Sequence, residues 1–159
     1  RLRCSSTKRS EITPAASAAA LGAPAAAAEE LEAFLAPLDS LISEHPALTA
    51  RTPPWAHLPG LRCFTVEGGR GEALVFLLDR EGVAVSTGPA CTAGVAGPSR
   101  VLTAMGLGAE EALGSVRVSL GHASTAADVE ALVRALPQAV EAAQEAALVK
   151  ARPRHARDE

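Results

Sequence analysis

V-A-V-S-T-G-P-A-C-T-A-G-V-A-G-P-S-R-V-L, residues Val83 to Leu102, is the stretch on which the reading of this chain turns. Val83 to Val85 is apolar and strand-like. A loop of glycine and small residues follows, and Pro98 then suits the first turn of a helix. The loop holds one cysteine, Cys91. A free cysteine is most often a small buried apolar residue. Here Gly88, Ala90, Ala93, Gly94 and Gly97 offer no bulk to bury it, and they let a substrate or backbone come close to the sulfur. No His or Lys stands within a few residues to lower the thiol pKa, so any activation must come from elsewhere in the fold or from the substrate. Composition and spacing alone leave both an inert and a reactive Cys91 open.

Downstream, the helix from Pro98 carries Val101, Leu102 and Met105 and stops at Gly106. Ala109 to Leu113 makes one more turn. Ser115 to Leu120 alternates, with Val116, Val118 and Leu120 on one face and Ser115, Arg117 and Ser119 on the other. An arginine on the polar face of a strand is most often solvated or ion-paired. The other reading is a carboxylate clamp, since a guanidinium fork fits a carboxylate with two hydrogen bonds and a strand is a rigid mount. Thr125 to Asp128 resembles a capping box with Asp in place of Glu. It opens a long helix with Val129, Leu132, Val133, Leu136 and Val140 on one stripe, which Pro137 should bend or split. Lys150 to Glu159 is a charged tail.

Upstream, A-L-V-F-L-L (Ala73 to Leu78) fits a helix or a buried strand, and periodicity does not decide between them. A helix from Gly71 to Arg80 is preferred because Gly82 then serves as its C′ residue. Leu61 to Glu67 reads as a strand with Cys63 in the core. Pro46, Pro53, Pro54 and Pro59 exclude regular structure from His45 to Gly60, with Trp55 folded back on the core. A helix over Ala25 to Ser43 has one stripe (Leu31, Phe34, Leu35, Leu38, Leu41, Ile42), and Pro37 should kink it. Glu11 to Leu21 is a further helix and Arg1 to Ser10 a loop. Strands alternating with helices give an α/β two-layer sandwich, with a small sheet of about three strands and helices mainly on one face.

The chain has 159 residues, enough for one domain with a real core. Its net charge of −3 argues against a nucleic-acid footprint, which needs clustered Lys and Arg. Three cysteines (Cys4, Cys63, Cys91) match no zinc spacing and make a poor disulfide framework, so a reducing, cytoplasmic setting is the default. No run is apolar enough to span a bilayer. The basic, Ser-rich start also fits a transit peptide. His45, His57, His122 and His155 have no metal or triad spacing.

Val85 to Gly94, Pro98 to Leu107 (P-S-R-V-L-T-A-M-G-L) and Ser115 to Gly121 (S-V-R-V-S-L-G) together resemble the C-terminal domain of cysteine desulfurases. These are fold-type I, pyridoxal-phosphate-dependent enzymes of the class V aminotransferase group. His57 to Gly60 and Gly71 to Gly88 fit the same pattern. The resemblance implies that Cys91 is the nucleophile that takes sulfur from cofactor-bound L-cysteine as a persulfide, leaving L-alanine. It implies that Arg117 holds the substrate carboxylate. The seven-residue step from Cys91 to Pro98 is similar to the branch with a long cysteine loop, which hands sulfur to an iron–sulfur scaffold protein or a tRNA-thiolating enzyme. The start L-R-C-S-S-T loosely resembles a segment whose threonine, here Thr7, reaches the cofactor phosphate in the partner subunit of a homodimer.

The chain also departs from the pattern. Its two lysines, Lys8 and Lys150, lie in nothing like the family's S-x-H-K segment, where a lysine binds the cofactor. Pro89 stands where serine is common, and His122 where arginine is frequent. The resemblance therefore implies residues 1–24 as a remnant of the large domain and linker helix, 25–149 as the C-terminal small domain with the cysteine loop, and 150–159 as the tail. It implies a fragment without activity alone. The contrasting readings are a non-catalytic truncated paralogue or a sulfur-relay and interaction module, and, third, a closer kinship to lyases or aminotransferases of the group.

Overall fold

The computed structural model describes residues 25–53, 58–87, 97–121 and 123–151. The first helix, α1 (Ala25–Glu44), follows the expected stripe, with Leu35, Leu38 and Ile42 buried. It runs through Pro37 as one element. Pro37 is exposed, so the carbonyl that its missing N–H leaves free faces the solvent side. The expected helix at residues 11–21, Trp55, and residues 152–159 of the expected tail lie outside the described residues, while Lys150 and Ala151, expected in that tail, end the last helix instead.

Three strands form one antiparallel sheet in the order β1–β2–β3: β1 (Leu48–Ala50), β2 (Leu61–Val66) and β3 (Ser115–Ser119). Leu48 pairs with Val66 and Ala50 with Phe64, while Phe64 pairs with Val116 and Arg62 with Val118. Successive side chains on a strand point to opposite faces, so this register puts Leu48, Phe64, Val66, Val116 and Val118 on one face. All five are buried there against α1, α2 (Gly71–Arg80) and the long α5 (Ala126–Ala151). The expected α/β two-layer architecture, with helices mainly on one face, is what the chain adopts.

Two strands differ from expectation. β1 arises inside the proline-rich stretch expected to be irregular. It is only three residues long and is held by tertiary pairing with β2, which no local pattern announces. Conversely, Val83 to Val85 forms no strand. Both valines are buried, and among the described residues the segment's ladder contact with the sheet is a single bridge just after it, at Ser86. There Ser86 N–H donates to Arg117 O at 3.1 Å and Arg117 N–H donates to Ser86 O at 2.6 Å.

Helix α2 ends as expected. Gly82 has φ +78°, its N–H donates to Asp79 O at 2.9 Å, and Val83 N–H donates to Leu78 O at 2.9 Å. This Schellman pairing satisfies two terminal carbonyls and needs a left-handed residue at C′. Its other end lies against β3: a Cβ at Gly71 would come within 2.2 Å of Ser115 O, so only glycine fits. Helix α3 (Arg100–Ala104) starts later than expected. Ser99 is the N-cap, its Oγ accepting from Leu102 N–H at 3.4 Å, and Pro98 stands before it. Serine offers a side-chain acceptor there that proline lacks. Of the expected apolar residues, Leu102 is buried, while Val101 and Met105 are exposed. A single turn, α4 (Ala109–Leu113), then packs against β2. Helix α5 runs through Pro137 unsplit. Thr125 N–H donates to Asp128 Oδ2 at 2.9 Å, one half of the expected capping box.

Arg62 breaks the apolar pattern of the helix face. It is 8% exposed and lies between β2 and α1. Its Nε and Nη2 donate to the two oxygens of Asp39 (2.8 and 3.0 Å), while Nη2 and Nη1 reach Glu32 Oε2 and Oε1 (2.6 and 3.3 Å). Nη1 also donates to Leu61 O at 3.0 Å. These bonds, to Asp39 first and Glu32 second, raise the arginine's already high pKa. A charge this buried persists only when paired and hydrogen-bonded.

Candidate substrate-carboxylate site

Helices α1, α2 and α5 cover one face of the sheet. On the other face the register sets polar side chains in cross-strand rows. Thr49, Thr65 and Ser115 form one row. Arg51, Cys63, Arg117 and Ser86 form the next: Arg51 N–H donates to Cys63 O at 2.8 Å, Cys63 pairs with Arg117, and Arg117 bridges to Ser86. β-Branched Val116 and Val118 lock β3 into the core on either side of Arg117. The guanidinium therefore projects from a fixed backbone, as the alternation in the sequence predicts.

The two arginines of this row differ. Arg51 Nε donates to Thr65 Oγ1 at 3.0 Å, and Nη2 pairs with Glu111 on α4. Arg117 is exposed, and among the described residues its side chain has no hydrogen bond or ion pair. An exposed fork without an internal partner, on a rigid strand, is free to take a carboxylate bidentately.

Cys63 lies between them. It was expected in the core, but the alternation that buries Phe64 and Val66 turns Cys63 to the opposite face, half-buried and with a free thiol. Burial pushes that thiol's pKa up, against the opposing pull of Arg117 and then Arg51. Thr52 Oγ1 accepts from Cys63 N–H at 2.7 Å. Ser115, one row away, is 1% exposed, and its Oγ has no hydrogen-bond partner among the described residues. A cleft of about 350 Å³ opens at this end, lined by Thr49, Arg51, Thr65, Arg70, Glu110 and Glu111, with Arg70 and Glu110 paired at 3.2 Å. A second cavity, about 440 Å³, is lined by Asp39, Ser43, Thr52, Arg62 and Cys63 among others.

Of the predicted site residues, Arg117 is on the open face as expected; Cys91 and Thr7 lie outside the described residues. Ser86, which bridges to Arg117, precedes Cys91 by five positions in the sequence. The sequence alone does not mark Arg51 or Cys63 as site neighbours. The period of two along L-R-C-F-T-V held the signal for Cys63. Nothing local marked Arg51, because its strand was hidden among prolines.

The class V aminotransferases depend on pyridoxal phosphate, and the described residues do not fit that group. The open face offers two guanidiniums, a thiol and hydroxyls, but no lysine to bind the cofactor. The chain's two lysines are Lys8, outside the described residues, and Lys150, in the last turn of α5. Among the described residues no cluster of His, Cys, Asp and Glu could hold a metal ion, and no helix is long and apolar enough to cross a membrane.

Residues 16–132 match the family model of the class-V aminotransferases. An IscS-like cysteine desulfurase of Mycobacterium tuberculosis is 55% identical over 94 residues, which are 59% of this chain and 24% of that protein. A cysteine desulfurase of Cereibacter sphaeroides is 42% identical over 88 residues, 55% of this chain and 23% of that one. A solved NifS-like protein of Rickettsia africae superposes with a TM-score of 0.62 at 27% identity, over 72% of this chain and 29% of its own. The chain thus spans about a quarter of the length of the curated relatives it matches.

Proposed function

The chain belongs to the class-V aminotransferase family and is similar within it to cysteine desulfurases, and from that premise we propose that it forms the substrate-holding part of a pyridoxal-phosphate-dependent cysteine desulfurase. The observation that carries the proposal is Arg117: a guanidinium on a rigid strand, facing away from the core and without a hydrogen bond or ion pair among the described residues. L-Cysteine presents a carboxylate to this fork. Cys91 accepts the sulfur: the substrate's C–S bond breaks and a sulfur–sulfur bond forms on Cys91. The products are L-alanine and a Cys91 persulfide, with no outside oxidant or reductant. The persulfide then passes to a protein acceptor such as an iron–sulfur scaffold protein or a tRNA-thiolating enzyme, in the cytoplasm, from a homodimeric enzyme.

In this reading the cofactor's attachment is not made by the described residues, and the chain alone does not turn over cysteine. The test is a Cys91→Ala change in the intact protein, assayed for alanine and for protein-bound persulfide. Loss of both is expected. Persulfide transfer that persists without Cys91 sinks its role, and turnover by the 159-residue chain with added cofactor sinks the incompleteness of its site.

A further inference from the structure

One side chain separates the two guanidiniums of the open face, and it is Cys63. We propose that Cys63 is a positioning residue of the carboxylate site: a small uncharged spacer that keeps Arg117 unpaired and open to an incoming carboxylate. The inference rests on the reading of Arg117 as the clamp.

The sheet register supplies the first reason. Cys63 stands directly opposite Arg117 on β3, and Arg51 is bonded to its other edge through Cys63 O. Directly opposed residues of an antiparallel pair have Cβ atoms about 4.5–5.5 Å apart. Position 63 is therefore a directly opposed cross-strand neighbour of Arg117, with Ser86 opposite on the other side. The second reason is that Arg51 is already satisfied, by Thr65 and by Glu111 of α4. It needs nothing from position 63. The third reason is chemical. The groups that face Cys63 are Arg51 and Thr52 after β1 and Arg117 on β3, with Glu111 drawn onto Arg51. Burial outweighs the two arginines and keeps the thiol protonated, so Cys63 offers Arg117 no anion. A carboxylate at this position would make an opposite-charge cross-strand pair and fill the fork from within. A serine would preserve both size and neutrality.

The test is an acetate titration of the 159-residue chain, followed by NMR at the Arg117 Nε–Hε signal, in the wild type, Cys63→Asp and Cys63→Ser. The wild type and Cys63→Ser should show the same saturable shift, and Cys63→Asp an affinity at least tenfold weaker. Equal affinity in Cys63→Asp overturns the proposal. So does an equal loss in Cys63→Ser, or a wild-type signal that acetate does not move. Should Cys63→Asp fail to fold, pH gives a second reading. In the wild type, acetate affinity should fall as the thiol ionises at alkaline pH, because the thiolate then competes for Arg117. In Cys63→Ser it should not, and parallel pH profiles overturn the proposal. An intact protein that never desulfurates cysteine, with these acetate results standing, would overturn the proposed function and leave the role of Cys63 intact.

Discussion

Arg62 and Arg117 sit on neighbouring strands of one sheet and face opposite ways. Arg62 is buried against α1, and its donors are spread over two carboxylates and a carbonyl. Arg117 is exposed and unpaired among the described residues. The same side chain therefore does two kinds of work. On the helix face a charge has to be neutralised inside the chain, because leaving it unpaired in the core costs several kcal/mol. On the open face water solvates the charge, so no internal partner is required and the fork stays available. The unsaturated arginine is the one that can serve a ligand.

The largest expected effect breaks this contrast on the open side. Arg117→Ala in the intact protein should lower kcat/KM for L-cysteine about 100-fold, the order expected for losing a charge-assisted bidentate contact to a carboxylate. Stability should change by less than about 0.5 kcal/mol, since the side chain is exposed and has no hydrogen bond or ion pair among the described residues. Arg117→Lys should recover only part of the activity, because an ammonium cannot reproduce the fork. Steady-state kinetics beside a urea melt separates the two quantities. An unchanged kcat/KM would remove Arg117 from the site.

Arg62→Ala should do the reverse, destabilising the fold by about 2 kcal/mol in urea unfolding while leaving kcat/KM of the folded protein near wild type. The figure lies below the usual cost of breaking a buried pair because Glu32 and Asp39 are themselves partly exposed and regain water when released. A loss of activity that outruns the loss of folded protein would show that the two faces are coupled.

The contrast was half legible in the sequence. The stripe of Leu35, Leu38 and Ile42 and the alternation of S-V-R-V-S rest on local periods of 3.6 and 2, so α1 and β3 could be read with Arg117 on the correct face. Gly82 was legible for a similar reason, because a C′ glycine is set by its own helix end. Arg62 was not, since its partners Glu32 and Asp39 come from a helix that precedes it by more than twenty residues. β1 was not, because three residues held by pairing with β2 and by one buried leucine, Leu48, leave no local trace. Val83 to Val85 misled for the converse reason: two buried valines give a strand's composition without a strand's ladder. Of the site, the Arg117 fork could be read from the sequence, and its row-mates Arg51 and Cys63 could not until the register was known.

The smallest expected effect lies on that row. The Cys63 thiol is shifted upward in the folded chain, so the fold holds the proton more tightly than the unfolded chain does. An acid with a raised pKa contributes its full stability below its unfolded pKa and loses it as pH rises through the folded one. Over that alkaline window the wild type should lose slightly more stability than Cys63→Ser, measured as the difference between their urea midpoints at neutral and at alkaline pH. At neutral pH and below, the two proteins should run in parallel, because the thiol is protonated in both states. A wild type that gained on Cys63→Ser as pH rose would mean that Arg117 and Arg51, and not burial, govern the thiol. Arg117 would then be partly occupied by its own neighbour, and the difference between the saturated and the open arginine would narrow.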